Sequence, residues 1–140
     1  MTTFDWAELK LIGDELSQTD NEAHLRSAFG RYYYASYCST KNYLINLGQK
    51  KYLGPAGSHK NLYEELQKSP DYNEKRLGLD LEDLFKKRID ADYLVERKGK
   101  SLDTEYFRQE LNDVKLKSND ALQLVSILKN NPPKHRFKRF

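Results

Sequence analysis

Arg88 and Asp92 lie four residues apart in the sequence, and Tyr93 follows directly. On a helix this spacing places a guanidinium and a carboxylate on one face, where they can form an ion pair. A partly buried pair needs further polar partners, which Arg31, His59 or a tyrosine hydroxyl can supply. Arginines bind phosphate and a histidine exchanges protons near neutral pH, so these residues suit phosphate chemistry. They would serve equally well as a structural polar network inside a bundle, and both alternatives stay open.

Four tyrosines, at positions 32, 33, 34 and 37, stand within the segment from Arg26 to Tyr37. They cover more than one face of a helix, so most of them must pack between neighbouring helices or against a second chain. A helix that faced only water would have no reason to carry so many aromatic side chains. Arg26 and Arg31 are therefore expected beside a crowded aromatic core.

Length and composition predict one domain with a single core, since the chain has 140 residues, a mass of 16.5 kDa and a net charge of +3. No apolar run is long enough for a membrane span, and the first residues lack the pattern of a secretory signal. We therefore expect no membrane association and a cytoplasmic location. Cys38 is the only cysteine, and its place after the tyrosines suggests a small buried hydrophobe.

The spacing of apolar residues predicts helices throughout, with no convincing strand pattern. A first helix is expected over about residues 4–16. A capping box at Thr19–Glu22 is expected to start a long second helix, in which the threonine and glutamate side chains satisfy free backbone amides. That helix should stop near Gly48, because glycine readily adopts the left-handed conformation that ends helices.

Ser58 is expected to cap a short third helix, which a proline-containing polar stretch then ends. Asp80 is expected to cap a fourth helix, residues 96–101 form a charged turn, and Asp103 starts a final helix that runs to a proline pair. Short connections between these segments predict an all-α fold, an antiparallel bundle of four or five helices.

The helical domain is expected to cover residues 1–130, followed by a basic tail over residues 131–140. Lys134 and Arg136 belong to this tail, which holds four cations and no acidic residue. Alternating cations and aromatics can neutralise phosphates and stack on bases, so the tail is one candidate for RNA binding. A frayed tail, or an arm packed on a partner subunit, is the alternative.

The sequence lacks several well-known motifs of catalytic and binding sites. It contains no glycine-rich phosphate loop, no cysteine or histidine spacing typical of a metal site, and no nucleophile turn of the Gly-x-Ser-x-Gly type. The three histidines, at positions 24, 59 and 135, fall in separate segments. We therefore expect no metal and no cofactor.

Three pieces of the sequence, taken in order, resemble the small HEPN proteins of bacteria and archaea. They are Arg31-Tyr-Tyr-Tyr-Ala35 in the second helix, Ser58-His59-Lys-x-Leu62, and Arg88-x-x-Ala91-Asp92-Tyr93. The resemblance covers about residues 20–130. It implies a helical bundle that commonly dimerises; many members are ribonucleases of toxin–antitoxin, CRISPR or other phage-defence systems, and others bind nucleotides or nucleotidyltransferase partners.

One departure from that family concerns its catalytic pair. Active members generally carry an arginine and a histidine separated by four to six residues, which meet their copies across a dimer cleft. After Arg88 the eligible positions hold Tyr93, Leu94 and Val95. A free tyrosine, with a pKa of about 10, is a poor base near neutral pH. His59, from another helix, is then the candidate proton acceptor.

The sequence therefore predicts an effector that acts on RNA or nucleotides, with a site made by two sets of residues. The expected catalytic residues are Arg88, His59, Tyr93 and Asp92, and the expected RNA- or nucleotide-binding residues are Arg31, Tyr34, Lys134 and Arg136. The alternative is a non-catalytic HEPN subunit that binds a nucleotidyltransferase or another defence protein. The chain is expected to act as a homodimer or as a subunit beside a partner protein, and Tyr93 is the first candidate to receive a nucleotide group in the alternative.

Overall fold

A computed structural model describes residues 4–49 and 59–137 of the chain. The α-helices of these ranges are α1 (Leu9–Leu16), α2 (Glu22–Asn46), α3 (His59–Gln67), α4 (Tyr72–Tyr93) and α5 (Thr104–Asn130). Two strands, β1 (Glu96–Arg97) and β2 (Lys100–Ser101), form a small antiparallel hairpin, and short 3-10 helices cover Trp6–Glu8 and Lys134–Phe137. The expected all-α helical bundle is confirmed.

The central helix is α2, which packs against α1, α4 and α5. Arg26 near its start reaches the carbonyl of Ala91 near the end of α4, whereas Tyr43 near its end donates to Glu74 at the start of α4. Therefore α4 runs antiparallel to α2. The largest fully buried side chains include three aromatic residues of α2 and one of α5, namely Phe29, Tyr32, Tyr33 and Phe107. None of the helices within the described ranges combines the length and apolar character needed to cross a bilayer.

The start of α2 differs from the prediction, and its end agrees. Asn21 is the N-cap, because its side chain accepts a hydrogen bond from the amide of His24 at 3.1 Å. The predicted capping box at Thr19–Glu22 is therefore wrong; asparagine caps at least as well as threonine and lies closer to the first apolar turn. The predicted stop near Gly48 is confirmed, since this residue has a φ of 88° directly after the helix.

The start of α4 also differs from the prediction. Asp71 is the N-cap, and its carboxylate accepts from a first-turn amide at 2.9 Å. The prediction that Asp80 caps this helix is wrong, because Asp80 lies inside α4. Close packing of α3 on α4 requires Gly78, where an added Cβ would lie 2.7 Å from the carbonyl oxygen of Tyr63.

The connection between α4 and α5 is a hairpin where the sequence predicted only a charged turn. Lys98 and Gly99 have positive φ angles of 51° and 80°, as a two-residue hairpin turn requires. The predicted start of α5 is confirmed, because the Asp103 carboxylate accepts from the amide of Tyr106 at 3.0 Å. The predicted cap at Ser58 lies outside the described residues.

Arg26 of α2 holds this connection in place. Its Nη1 donates to the carbonyls of Ala91 and Leu94 at 3.0 and 2.8 Å, and its Nη2 donates to the carbonyl of Leu102 at 2.8 Å. The guanidinium also lies 4.4 Å from the ring centroid of Phe107. The last carbonyls of a helix have no partner within the helix, so one arginine satisfies the end of α4 and fixes it against α2 and α5.

Asp80 is a half-buried carboxyl group beside Asp120 of α5, and its buried Oδ2 atom has no hydrogen-bond partner among the described residues. Burial, and then the neighbouring carboxylate, raise the pKa of Asp80 to about 8. In an unfolded chain an aspartate ionises near pH 4. The folded state therefore favours the protonated form, so the stability that Asp80 contributes is present below about pH 4 and is lost as the pH rises towards about 8.

We predict that Asp80→Asn stabilises the protein at pH 8 by about 1–3 kcal/mol, the usual cost of an unsatisfied buried polar group, and that the gain shrinks towards pH 4. The neutral amide keeps the shape of the side chain without a charge to bury. Urea unfolding at several pH values measures this difference. Asp113→Asn, on the exposed surface of α5, is the control and should show no such gain; a less stable Asp80→Asn protein at pH 8 would contradict the prediction.

Candidate functional site

Arg88 lies near the end of α4 with only 10% of its side chain exposed. Its Nη1 donates to the hydroxyl of Tyr34 at 2.7 Å, and its Nε lies 3.2 Å from Oδ2 of Asp92. The second contact is a charge pair and not an aligned hydrogen bond, because the buried Nε has no hydrogen-bond partner in the described part of the chain. The positive charge is therefore neutralised but incompletely hydrogen-bonded.

Aromatic rings surround the guanidinium of Arg88. Its Cζ atom lies 5.7, 5.4 and 5.8 Å from the ring centroids of Tyr33, Tyr34 and Phe85. At these distances the ring quadrupoles attract the cation. The side chain is thus held by two polar contacts and three rings, which restricts it to one orientation.

His59, the first residue of α3, lies next to this arginine. Its Nδ1 forms a short contact with the buried hydroxyl of Tyr33, and its ring stacks on Tyr37 with the centroids 4.2 Å apart. Burial lowers the pKa of His59, and the positive charges of Arg88 and Lys41 lower it further. The imidazole is therefore neutral near pH 7, with Nδ1 at the tyrosine hydroxyl.

The structure brings four of the eight predicted site residues together. We name Tyr33, Tyr34, His59, Arg88 and Asp92 the Arg88 cluster, in which Tyr33 is the residue that the sequence analysis did not assign to the site. The Asp92 side chain is 38% exposed, so the cluster reaches the surface at the carboxylate while the guanidinium lies beneath.

The other predicted site residues lie outside the Arg88 cluster. Tyr93 is 68% exposed at the end of α4, and Arg31 is exposed on α2 with no contact to Arg88 in the described part of the chain. Lys134 is exposed in the C-terminal 3-10 helix. Arg136 lies in the same 3-10 helix and points into the protein.

The side chain of Arg136 is only 7% exposed and is bound to the start of α4. Its Nε and Nη2 donate to the two carboxylate oxygens of Glu74 at 3.0 and 2.8 Å, and its Nη1 lies 3.3 Å from Glu65 of α3. Glu74 is fully buried and also accepts from the hydroxyl of Tyr43. Arg136 therefore neutralises a buried carboxylate and anchors residues 134–137 to the bundle.

Three aromatic residues around the site were not predicted as site residues: Tyr33 and Tyr37 were expected only to pack, and Phe85 was not singled out. Tyr33 and Tyr37 lie four residues apart and stack at 5.6 Å, so they share one face of α2. Phe85 and Arg88 are three residues apart on α4, which also places them on one face. This spacing was the available signal, but it does not show which face of α2 meets which face of α4.

No protein-family model, no curated protein and no solved structure matches the chain. Within residues 4–49 and 59–137, no three histidine, cysteine, aspartate or glutamate side chains lie close enough to hold a metal ion. The chemistry of the site therefore has to be argued from its own residues.

The Arg88 cluster combines a guanidinium with a neutral imidazole. A guanidinium stabilises phosphate oxygens, above all those that gain charge during a reaction. In a neutral imidazole only one ring nitrogen is unprotonated. When Nδ1–H of His59 donates to the Tyr33 oxygen, Nε2 is that nitrogen and can accept a proton in a fixed direction; when the Tyr33 hydroxyl donates to Nδ1, Nε2 carries the proton and cannot accept one. Burial raises the pKa of Tyr33, so its hydroxyl stays protonated in either tautomer.

We predict that Arg88→Met raises the pKa of His59, because the nearest cation is lost while the length of the side chain is kept. Lys41→Met should raise it by less, since Lys41 is the weaker of the two cations acting on the ring. Titration of the imidazole carbon protons by NMR, with the signal assigned from His59→Gln, measures this pKa.

The lowered pKa of His59 also determines how the stability of the protein depends on pH. Because the pKa of His59 is lower in the folded state than the 6.5 of an unfolded chain, the stability due to the neutral ring is present above about pH 6.5 and is lost as the pH falls below it. Arg88→Met should weaken this loss. A His59 pKa that is the same in wild type and Arg88→Met would refute the proximity of the two groups.

Proposed function

We propose that this protein is a HEPN-like effector that acts on RNA or nucleotides in a toxin–antitoxin or phage-defence setting. The observation that carries the proposal is the contact of His59 and Arg88 with adjacent tyrosines of α2, Tyr33 and Tyr34. The two residue types that phosphate chemistry needs thus lie in one cluster although they come from different helices. The resemblance to HEPN proteins supplies the biological setting.

The proposed reaction is cleavage of RNA by its own 2'-hydroxyl. In the tautomer in which Nδ1–H of His59 donates to the Tyr33 oxygen, Nε2 accepts the proton of the 2'-hydroxyl, the oxygen attacks the adjacent phosphorus, and the 5'-oxygen leaves with a proton taken from solvent. Arg88 stabilises the charge on the phosphate oxygens, and Asp92 orients Arg88. In this scheme His59 replaces the histidine that HEPN ribonucleases carry shortly after the arginine.

The site is proposed to act in a homodimer. HEPN sites meet across a dimer cleft, and two exposed apolar residues lie near the carboxyl end of α4, Tyr93 at 68% and Val95 at 79% exposure. Burial of such side chains favours association. A second subunit on this surface would adjoin Asp92, where the Arg88 cluster reaches solvent.

We predict that wild-type protein cleaves RNA at defined positions and that Arg88→Ala lowers the rate by about 10²–10³, the usual effect of removing one transition-state charge donor. Purified proteins are incubated with total RNA and with defined oligonucleotides, with and without magnesium, and the new ends are read by sequencing. His59→Gln should lose activity as well.

Arg108→Ala is the matched control, because Arg108 is an exposed arginine of α5 outside the Arg88 cluster. Circular dichroism establishes that each variant is folded before activity is compared. Cleavage by Arg88→Ala at the wild-type rate would contradict the proposed site. If no variant and no wild-type sample cleaves any RNA, the proposed ribonuclease activity is wrong.

A second candidate function is a non-catalytic subunit that pairs with a nucleotidyltransferase. The burial of Arg88 and its contacts with Tyr34 and Asp92 favour it, because a structural network would be arranged in the same way. The exposure of Tyr93 also favours it, since a modifying enzyme needs an accessible hydroxyl. In that reaction the phenol oxygen attacks the α-phosphate of a nucleoside triphosphate, and pyrophosphate leaves.

If this candidate is correct, a small nucleotidyltransferase encoded beside this chain should transfer a labelled nucleotide to Tyr93. Tyr93→Phe should abolish the label, whereas Tyr72→Phe should not, although Tyr72 is 70% exposed and equally accessible. Mass spectrometry of the modified peptide identifies the residue. Labelling that persists in Tyr93→Phe would exclude this residue as the acceptor.

A further inference from the structure

A cleft of about 590 Å³ lies on the other side of α2, between the N-terminal 3-10 helix and the last turns of α2 and α5. Its volume falls within the roughly 300–1,000 Å³ of small-molecule sites. Trp6 and Phe4 line one wall and pack edge to face with their ring centroids 4.9 Å apart. No residue of the Arg88 cluster is among the described residues that line this cleft.

Three polar side chains of this cleft have no partner in the described part of the chain. Asn42 and Asn46 are four residues apart on α2, so their amides project from one face. Neither of these two amides, nor the ammonium group of Lys129 on α5, makes a hydrogen bond or an ion pair within the described part of the chain. The cleft thus offers to a ligand the amides of Asn42 and Asn46, the indole ring of Trp6 and the cation of Lys129.

We propose that this cleft binds a purine nucleotide. An indole ring stacks on a base with a gain of about 1–3 kcal/mol, and an asparagine amide can pair with the donor and acceptor edge of adenine. Lys129 supplies the positive charge for the phosphate. Asp5 also lines the cleft and already accepts from the amide of Ala7 at 3.0 Å, and its negative charge disfavours a phosphate beside it.

The combination of side chains that line the cleft favours a nucleotide over an apolar ligand or a neutral sugar. A purely apolar ligand would leave both amides of the cleft without partners, which costs free energy. A neutral sugar could use the amides and the indole ring but would gain nothing from Lys129. A base joined to a phosphate uses all of them. The nucleotide can be free in solution or belong to an RNA strand, and the two sources share this chemistry.

Trp6 is the only tryptophan of the chain, so its fluorescence reports binding at this cleft. We expect AMP to quench that fluorescence saturably, and glucose at the same concentrations to leave it unchanged. Asn42→Ala should weaken AMP binding about tenfold. Lys129→Gln should weaken AMP binding about tenfold and leave adenosine binding unchanged, because adenosine has no phosphate.

The matched controls are Asn119→Ala and Lys75→Gln, which change exposed residues of α5 and α4 outside the cleft. Both variant proteins should bind AMP with the affinity of the wild type. Arg88→Ala should also bind AMP normally, so failure of the proposed ribonuclease function leaves this result intact. Tighter binding of an adenine oligonucleotide than of AMP would identify RNA as the source, and equal or weaker binding would identify the free nucleotide.

Three results would overturn the proposal. One is the absence of binding of both AMP and the oligonucleotide at millimolar concentration, in fluorescence and in calorimetry. Another is glucose binding as tight as AMP binding. The third is an equal loss of AMP affinity in Lys129→Gln and Lys75→Gln, because Lys129 would then have no specific role in binding the phosphate.

Discussion

Tyrosine hydroxyls of α2 that lie inside the bundle need hydrogen-bond partners, and the arrangement of the neighbouring helices depends on that requirement. A buried hydroxyl without a hydrogen bond costs about 1–3 kcal/mol. Four tyrosines of α2, three of them buried and Tyr34 half-buried, have hydroxyls that find partners on three other helices. The pairs are Tyr32 with Asp14 of α1 at 2.6 Å, Tyr33 with His59 of α3, Tyr34 with Arg88 of α4 at 2.7 Å, and Tyr43 with Glu74 of α4 at 2.7 Å. The apolar parts of these rings form the core, while their hydroxyls select which polar residue each neighbouring helix must present. Packing and hydrogen bonding therefore specify the same arrangement.

The buried charges follow from these pairs. Arg88 and Glu74 lie near opposite ends of α4, and each is compensated by a tyrosine and by an opposite charge, Asp92 in one case and Arg136 in the other. Removing one partner from such a group costs more than the pair contributes. Arg26 completes the scheme by satisfying the last carbonyls of α4, so that the turn carrying Asp92 keeps its position. The Arg88 cluster is thus built on a rigid part of the molecule.

Local signals in the sequence were enough to predict the helices and the ion pair between Arg88 and Asp92 on α4. Gly48 and Asp103 marked helix ends because glycine and aspartate have specific roles there, and the spacing of Arg88 and Asp92 indicated one face. The prediction at Asp80 was wrong because an aspartate before an apolar run has the pattern of a cap, although Asp71 occupies that role. The contact between His59 and Tyr33 has no local signal, since it joins residues 26 positions apart and depends on how α3 packs on α2. The contacts of Arg136 with Glu74 and Glu65 could not be predicted for the same reason, because they join residues that are far apart in the sequence.

His59 distinguishes a reactive cluster from a structural one more sharply than Arg88 does. The hydroxyl of Tyr33 would be satisfied equally well by an asparagine or a glutamine, which have no charge to lose in a buried site. Histidine in that place carries a cost below neutral pH, because its protonated form is disfavoured by burial and by the adjacent arginine. A purely structural network gains nothing from that cost. A site of the proposed kind does gain, because a base of low pKa remains unprotonated until the substrate arrives and can then accept a proton near neutral pH. In the proposed mechanism the cation that lowers the pKa of this base also stabilises the charge of the phosphate, so Arg88 serves both requirements.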